Sequence, residues 1–281
     1  MMARRRAEPH SLSSRETDAL KGVVLAGGTG SRLFPLTLVT NKHLLPVYDR
    51  PMIFHPLAVL TEMGIDEAMV IVGGRSVGDI LELLHDGSDV GLQLTYRYQR
   101  GALGIAHAIG LARSFAGDDP IAIVLGDNVL RGSLRPFAQR FEASGAEAGA
   151  VLTRVAEPQR FGVAEFDSDG RLVGFEEKPQ VPKSDLIPLG VYLFRPSVFE
   201  VIEQLHPSAR GEFEITDVLN AFIGRGTLLH HVFEGEWSDA GTIQSLLEAS
   251  SFAAAEPVPL PSGLADRIGW EDGEPMDRRQ G

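Results

Sequence analysis

An apolar stretch, Lys21-Gly22-Val23-Val24-Leu25-Ala26, runs directly into Gly27-Gly28-Thr29-Gly30-Ser31-Arg32. Three glycines in four residues let the backbone turn tightly and come close to a ligand. Arg32 and then Lys42 follow, so the loop is suited to wrapping a polyanion with N–H groups and neutralising it. It is not the phosphate loop of the ATPases, because Gly30 is followed by Ser31-Arg32 where a Gly-Lys-Ser/Thr ending is required. Nor is it the dinucleotide fingerprint: Leu33 stands where its last glycine belongs, and no acidic residue closes a second strand at the expected distance. A strand feeding a glycine loop commits the first part of the chain to an α/β arrangement.

The next 100 residues continue that commitment. Pro51 to Met63 carries an apolar stripe (Ile53, Leu57, Leu60, Met63) closed by Gly64 and predicts a helix. Ala68–Val72 predicts a buried strand, Val77–Leu84 a helix, Leu92–Tyr96 a strand and Leu103–Phe115 an alanine-rich helix. Ile121–Leu125 is a continuous apolar strand that ends in Gly126-Asp127-Asn128. This alternation predicts a mostly parallel or mixed central sheet with helices on both faces. Ala148–Arg154, Gly162–Phe166, Leu172–Glu176 and Gly190–Phe194 read as short strands, with Asp169-Gly170 as a hairpin turn. Helices are predicted near Pro196, from Thr216 with its hydroxyl as cap, and over Gly241–Ser250. The second half is a smaller mixed part, and a ligand is expected between the halves at the carboxyl ends of the parallel strands.

The chain has 281 residues and a net charge of −12. That charge argues against a broad nucleic-acid surface and leaves room for a small positive pocket. With no cysteine there is no disulfide and no thiolate chemistry. No apolar run is long enough to span a membrane, and Arg4-Arg5-Arg6 lacks the apolar stretch of a secretory signal. A cytoplasmic protein is expected. Residues 1–20 read as a flexible N-terminal arm, 21–252 as the working domain, and 253–281 as a Pro-rich acidic tail, loosely packed.

Asp127, at the carboxyl end of the most apolar strand, is placed to bind a metal or to cap the following turn. Asp239, just before the last helix, is either a second metal carboxylate or an N-terminal helix acid. Glu176-Glu177-Lys178-Pro179 closes a strand with two carboxylates and a cation, where Pro179 stops further pairing. One acid there would accept hydrogen bonds from substrate hydroxyls and the lysine would bind phosphate, unless the segment is only a charged turn. Adjacent His230 and His231 point to opposite faces of a strand and do not suggest a transition-metal site. His107 reads as a structural residue of its helix.

Together these pieces resemble the sugar-1-phosphate nucleotidyltransferases, most closely their glucose-1-phosphate thymidylyltransferase branch. The resemblance is carried in order by Gly27 through Thr37, Asn41-Lys42-His43-Leu44-Leu45-Pro46-Val47, Leu125-Gly126-Asp127-Asn128, Arg160-Phe161-Gly162-Val163, Glu176-Glu177-Lys178-Pro179, Pro182-Lys183-Ser184, Pro207 through Glu212, Glu214-Ile215-Thr216-Asp217 and Trp237 through Thr242. It implies a Rossmann-like nucleotidyltransferase fold that assembles as a homodimer or homotetramer. It implies that Gly27, Gly28, Gly30, Ser31 and Arg32 bind the nucleotide, with Gln99 and Gly104 at the pyrimidine-reading positions. Arg32, Lys42 and Lys178 would be catalytic, and Asp127 and Asp239 would hold Mg²⁺. Gly162, Glu177, Lys178, Pro188 and Leu189 would line the sugar-phosphate site. The implied reaction transfers a nucleoside monophosphate from dTTP or UTP to glucose-1-phosphate or a related sugar-1-phosphate, releasing pyrophosphate.

The chain departs from that pattern in places. Leu103 stands where the branch often has aspartate, and His43 and His107 where it commonly has glutamine. Leu186-Ile187-Pro188-Leu189-Gly190 replaces its usual Tyr-Ala-Val-Thr-Gly, so an N–H and a hydroxyl are missing near the sugar. These changes leave open another nucleotide with an unusual sugar or cyclitol phosphate, or a non-catalytic sugar-nucleotide sensor. Longer members carry extra helices that build a second nucleotide site, so feedback by the end product is expected to be weak here.

Overall fold

The computed structural model describes residues 19–255, 262–268, 270–271 and 274–275. Nearly all of the expected N-terminal arm, residues 1–18, lies outside them, as does most of the expected tail. Seven strands build one sheet: β1 (Lys21–Ala26), β2 (Glu67–Val72), β3 (Gln93–Tyr98), β4 (Ile121–Leu125), β5 (Ala148–Arg154), β6 (Leu186–Phe194) and β7 (Leu228–Val232). Their order across the sheet is β7-β5-β6-β4-β1-β2-β3. β1 pairs in parallel with both β2 and β4, while β6 runs antiparallel to both its neighbours.

The helices are α1 (Phe54–Glu62), α2 (Val77–Leu84), α3 (Ile105–Gly110), α4 (Arg113–Ala116), α5 (Arg135–Glu142), α6 (Ser197–Glu203), α7 (Ile215–Arg225), α8 (Ile243–Ala255) and α9 (Ser262–Ile268). Alternation along β1 sorts them into two layers. Val24 and Ala26 face one core with Leu57 and Leu60 of α1, Ile80 of α2 and Phe141 of α5. Val23 and Leu25 face the other core with Ile109 of α3, Phe199 of α6 and Phe222 of α7. Both faces of β1 are covered, so its sequence is apolar almost throughout, as a central parallel strand requires.

Several predicted boundaries shift for local reasons. Gly104 has φ +96°, which no right-handed helix accepts, so α3 starts at Ile105 and not at Leu103. The predicted single helix over 103–115 is two short helices that part at Leu111-Ala112. Pro51 pairs with Pro46 in a two-residue ribbon and lies outside α1. Thr216 does not cap α7: Glu214 holds the cap position, and the Thr216 hydroxyl donates to Glu177 Oε2 at 3.3 Å. The last predicted helix starts at Ile243 and runs to Ala255. Within the tail expected to pack loosely, α9 buries Leu264, and its Arg267 pairs with Asp89 at 2.8 Å.

Beyond β3 the chain crosses to the far side of β1 to form β4. This reversal of strand order leaves a crevice at the carboxyl ends of β1 and β4, where α/β sheets bind ligands. The glycine loop leaves β1 there, Asp127 leaves β4 there, and the hairpin Gly162–Phe166/Leu172–Glu177 stands at the same end.

Candidate active site

A cleft of about 640 Å³ occupies this crevice. Its walls include Gly27, Gly28, Ser31, Arg32, Lys42, Gln99, Gly104, Asp127, Gly162, Glu177, Lys178, Pro188, Leu189 and Asp239. Every residue predicted for the site is therefore in one cavity except Gly30, which packs against the Lys42 stem and Thr37 behind the loop. A second cavity, about 750 Å³, is lined by residues such as Phe54, His55, Leu130 and Glu236 and holds none of them. The larger volume is thus not where the chemistry-bearing residues converge.

The two aspartates, far apart in sequence, meet through a short ribbon. Val129–Arg131, just after Asp127, pairs antiparallel with Glu236–Ser238, just before Asp239. Ser238 lies opposite Val129, so one further step of the register sets Asp239 opposite Asn128. Asn128 locks this corner: its Nδ2 donates to the Leu189 carbonyl at 2.7 Å, and its Oδ1 accepts from Trp237 Nε1 at 3.2 Å.

Each aspartate faces a cation. Lys42 Nζ lies 2.5 Å from Asp127 Oδ2, and Arg32 Nη1 lies 3.8 Å from Asp239 Oδ2. Burial pushes the Asp127 pKa up, but the Lys42 charge and hydrogen bond outweigh it and hold the carboxyl below its ordinary value. Next to Lys42, His43 is fully buried. Its ring Nδ1 lies 2.7 Å from Asn41 Oδ1, and its Nε2 has no hydrogen-bond partner among the described residues. Burial, then the neighbouring ammonium, lower its pKa to about 3, so it is neutral at physiological pH.

No group of three or more metal-ligating side chains exists among the described residues. Two carboxylates on one cleft, each beside a cation suited to phosphate, fit Mg²⁺, which takes one or two carboxylates and completes its shell with substrate phosphates and water.

On the opposite wall, Glu177 ends its strand directly across from Gly162. Lys178 follows with φ +47° and donates its N–H to the Phe161 carbonyl at 2.9 Å. Burial and the nearby Glu214 carboxylate raise the Glu177 pKa, while Arg210 and Lys178 oppose them. Arg210 is a site residue the sequence reading quoted but gave no role. Its Nη2 reaches Glu177 Oε1 at 2.9 Å and Glu214 Oε2 at 2.7 Å. The alternating charges of Arg210-Gly211-Glu212-Phe213-Glu214 were its visible signal. Asn128 and Trp237 also lay within quoted motifs without an assigned role.

Gln99 and Gly104 line the end of the cleft beneath the glycine loop. A Cβ at Gly27 would come within 2.4 Å of Gln99 Oε1, so a side chain there would displace the Gln99 amide. Predicted as structural, His107 lies on α3 behind this wall, tilted against Phe213 with ring centres 6.3 Å apart.

A doubly wound sheet with a cationic glycine loop, two convergent aspartates and a Glu-Lys strand end defines a nucleotide-handling transferase. The chain belongs to the nucleotidyl transferase family, whose pattern it matches over residues 21–256. It is 44% identical over 232 residues to the low-salt glycan biosynthesis nucleotidyltransferase of Haloferax volcanii, covering 82% of this chain and 65% of that one. It is 40% identical over 260 residues to the glucose-1-phosphate thymidylyltransferase of Mycolicibacterium smegmatis, covering 90% of each. A crystal structure of a Bacillus anthracis protein, provisionally assigned as a glucose-1-phosphate thymidylyltransferase and bound to a sucrose, superposes with a TM-score of 0.82. That match has 43% identity and covers 88% of this chain and 99% of the other.

Proposed function

We propose that the protein is a sugar-1-phosphate nucleotidyltransferase that takes dTTP, or UTP, and glucose-1-phosphate and releases pyrophosphate. The observation that carries this reading is one cleft that gathers Gly27, Gly28 and Gln99, then Arg32, Lys42, Asp127 and Asp239, then Glu177 and Lys178; these would be its nucleotide wall, phosphate centre and polyol wall.

In this reading an oxygen of the sugar phosphate attacks the α-phosphorus of the nucleotide, and the bond to the pyrophosphate oxygen breaks on the opposite side. The nucleophile is already an anion near neutral pH, so no strong base is needed. The task is to bring two polyanions into line. Arg32 and Lys42 would screen the triphosphate, and Lys178 the sugar phosphate. Glu177, steadied by Arg210 and Thr216, would accept hydrogen bonds from sugar hydroxyls. Asp127 and Asp239 would hold Mg²⁺, which when bound neutralises charge on the phosphates. The chain would act in the cytoplasm as a homo-oligomer; among the described residues no helix is long and apolar enough to cross a membrane.

A second reading, a different sugar phosphate, draws on Pro188 and Leu189 in the polyol wall and on the glycan-biosynthesis relative. Pyrophosphate release from dTTP, UTP, ATP, GTP and CTP, each mixed with Mg²⁺ and a panel of sugar phosphates, tests both. Turnover with dTTP and glucose-1-phosphate is expected. Turnover only with another sugar phosphate moves the assignment to the second reading. No release in any mixture overturns both.

A further inference from the structure

Gln99 ends just beyond β3, and only 7% of it is exposed. Its Oε1 abuts Gly27, and its Nε2 lies 3.3 Å from Nδ1 of His107 on α3. His107 does not line the cleft, whereas Gln99, which it contacts, does.

A primary amide has two N–H donors and one carbonyl acceptor. With one N–H given to Nδ1 of His107, the other N–H and Oε1 remain as an adjacent donor–acceptor pair. A pyrimidine uses such a pair in one of two orders. The imide edge of thymine or uracil sets its N3–H against the amide oxygen and a carbonyl against the amide nitrogen. The amino edge of cytosine sets the amine against the oxygen and an unprotonated N3 against the nitrogen. For a base held in one pose by its triphosphate, the direction of the amide therefore decides which edge fits. A freely turning amide accepts both.

We propose that His107 is a positioning residue: its Nδ1 accepts from Gln99 and locks the amide in one direction, and this lock gives the site its preference for an imide-edged pyrimidine. The ring proton then sits on Nε2 of His107. The inference rests on the reading of this cleft as a nucleoside triphosphate site.

The test is kcat/KM for dTTP and for dCTP, at saturating glucose-1-phosphate and Mg²⁺, on the full chain. Three variants are compared with the wild type. His107→Leu removes the acceptor. His107→Phe removes it but keeps a ring against Phe213, so loss of packing is controlled. His107→Asn keeps an acceptor oxygen in place of Nδ1. The expected result is a dTTP preference in the wild type and in His107→Asn. In His107→Leu and His107→Phe the preference should fall about tenfold or more, the scale of one lost buried hydrogen bond, with KM for glucose-1-phosphate unchanged. The inference is overturned if the Leu and Phe variants keep the wild-type ratio, if Asn loses as much as they do, or if the wild type shows no preference. A wild type that turns over neither nucleotide, whatever its sugar phosphate, overturns the functional reading, and this inference with it.

Discussion

At the scale of single residues, the cleft is lined by charges that pair with one another. Lys42 was visible in the sequence as a cation after a glycine loop, and Asp127 as a carboxylate at a strand end. Their contact at 2.5 Å was not, because it depends on β1 and β4 lying side by side. The contact has a cost as well as a use. Removing the Asp127 charge leaves the Lys42 ammonium without its carboxylate partner and the proposed metal with one carboxylate. Asp127→Asn is expected to lower kcat/KM for pyrophosphate release by about a hundredfold to a thousandfold, a loss of roughly 2.7–4 kcal/mol of transition-state stabilisation. Steady-state rates across a Mg²⁺ titration check this, and near-normal turnover would remove Asp127 from the metal assignment.

At the scale of elements, the turn into α3 ties the two walls together. Phe213 donates its N–H to the Leu103 carbonyl at 2.9 Å, and its own carbonyl accepts from Ala106 at 3.2 Å. Gly104 sits between, with its backbone against Phe213: a Cβ would lie 2.4 Å from the Phe213 oxygen. Glycine is thus required twice, for its positive φ and for the close approach. Phe213 is followed by Glu214, Ile215 and Thr216, which line the cleft with Glu177. A shift at Gly104 is therefore felt on both walls. Gly104→Ala is expected to cost about 1–3 kcal/mol of stability in urea unfolding, as backbone strain of this kind does. It should also weaken dTTP binding about tenfold in calorimetry. A variant with wild-type stability and affinity would show that the turn tolerates a side chain. The sequence pattern missed this break because the alanine-rich stretch reads on through Leu103 and Gly104, whereas Gly104 takes φ +96° with its backbone against Phe213.

For the whole molecule, acid stability is set partly by histidines that fold neutral. His55, on α1, has a buried Nε2 with no hydrogen-bond partner among the described residues. Burial, and then the Arg50 cation, lower its pKa from 6.5 to about 4. The unfolded chain therefore binds a proton between those values that the folded chain refuses. Stability from this group is full above about pH 6.5 and drains away as pH falls toward 4. Between about pH 7.5 and 5.0 the wild type should lose about 2 kcal/mol through His55. His55→Asn should not show that part of the loss. Urea unfolding of both proteins at the two pH values measures the difference, and parallel pH dependence would refute it.

What the sequence determined by itself was local chemistry and its period. Apolar runs punctuated by glycine specified β1, β2 and β4 and, with them, a parallel sheet whose strand ends carry the glycine loop and Asp127. The same reading picked out Arg32, Lys42, Asp127, Glu177, Lys178 and Asp239, because charges at loop and strand ends are visible a few positions away, while Gln99, Gly104, Gly162, Pro188 and Leu189 came only from the family resemblance. Only the tertiary structure decided which of those residues meet. Asp239 reaches the Asp127 corner through the register of a three-residue ribbon, and Arg210 reaches Glu177 across the mouth of a hairpin. Gln99 finds His107 because β3 and α3 converge behind the glycine loop. No local pattern carries these contacts. They follow from strand order and register, which are fixed by burying both faces of one sheet at once.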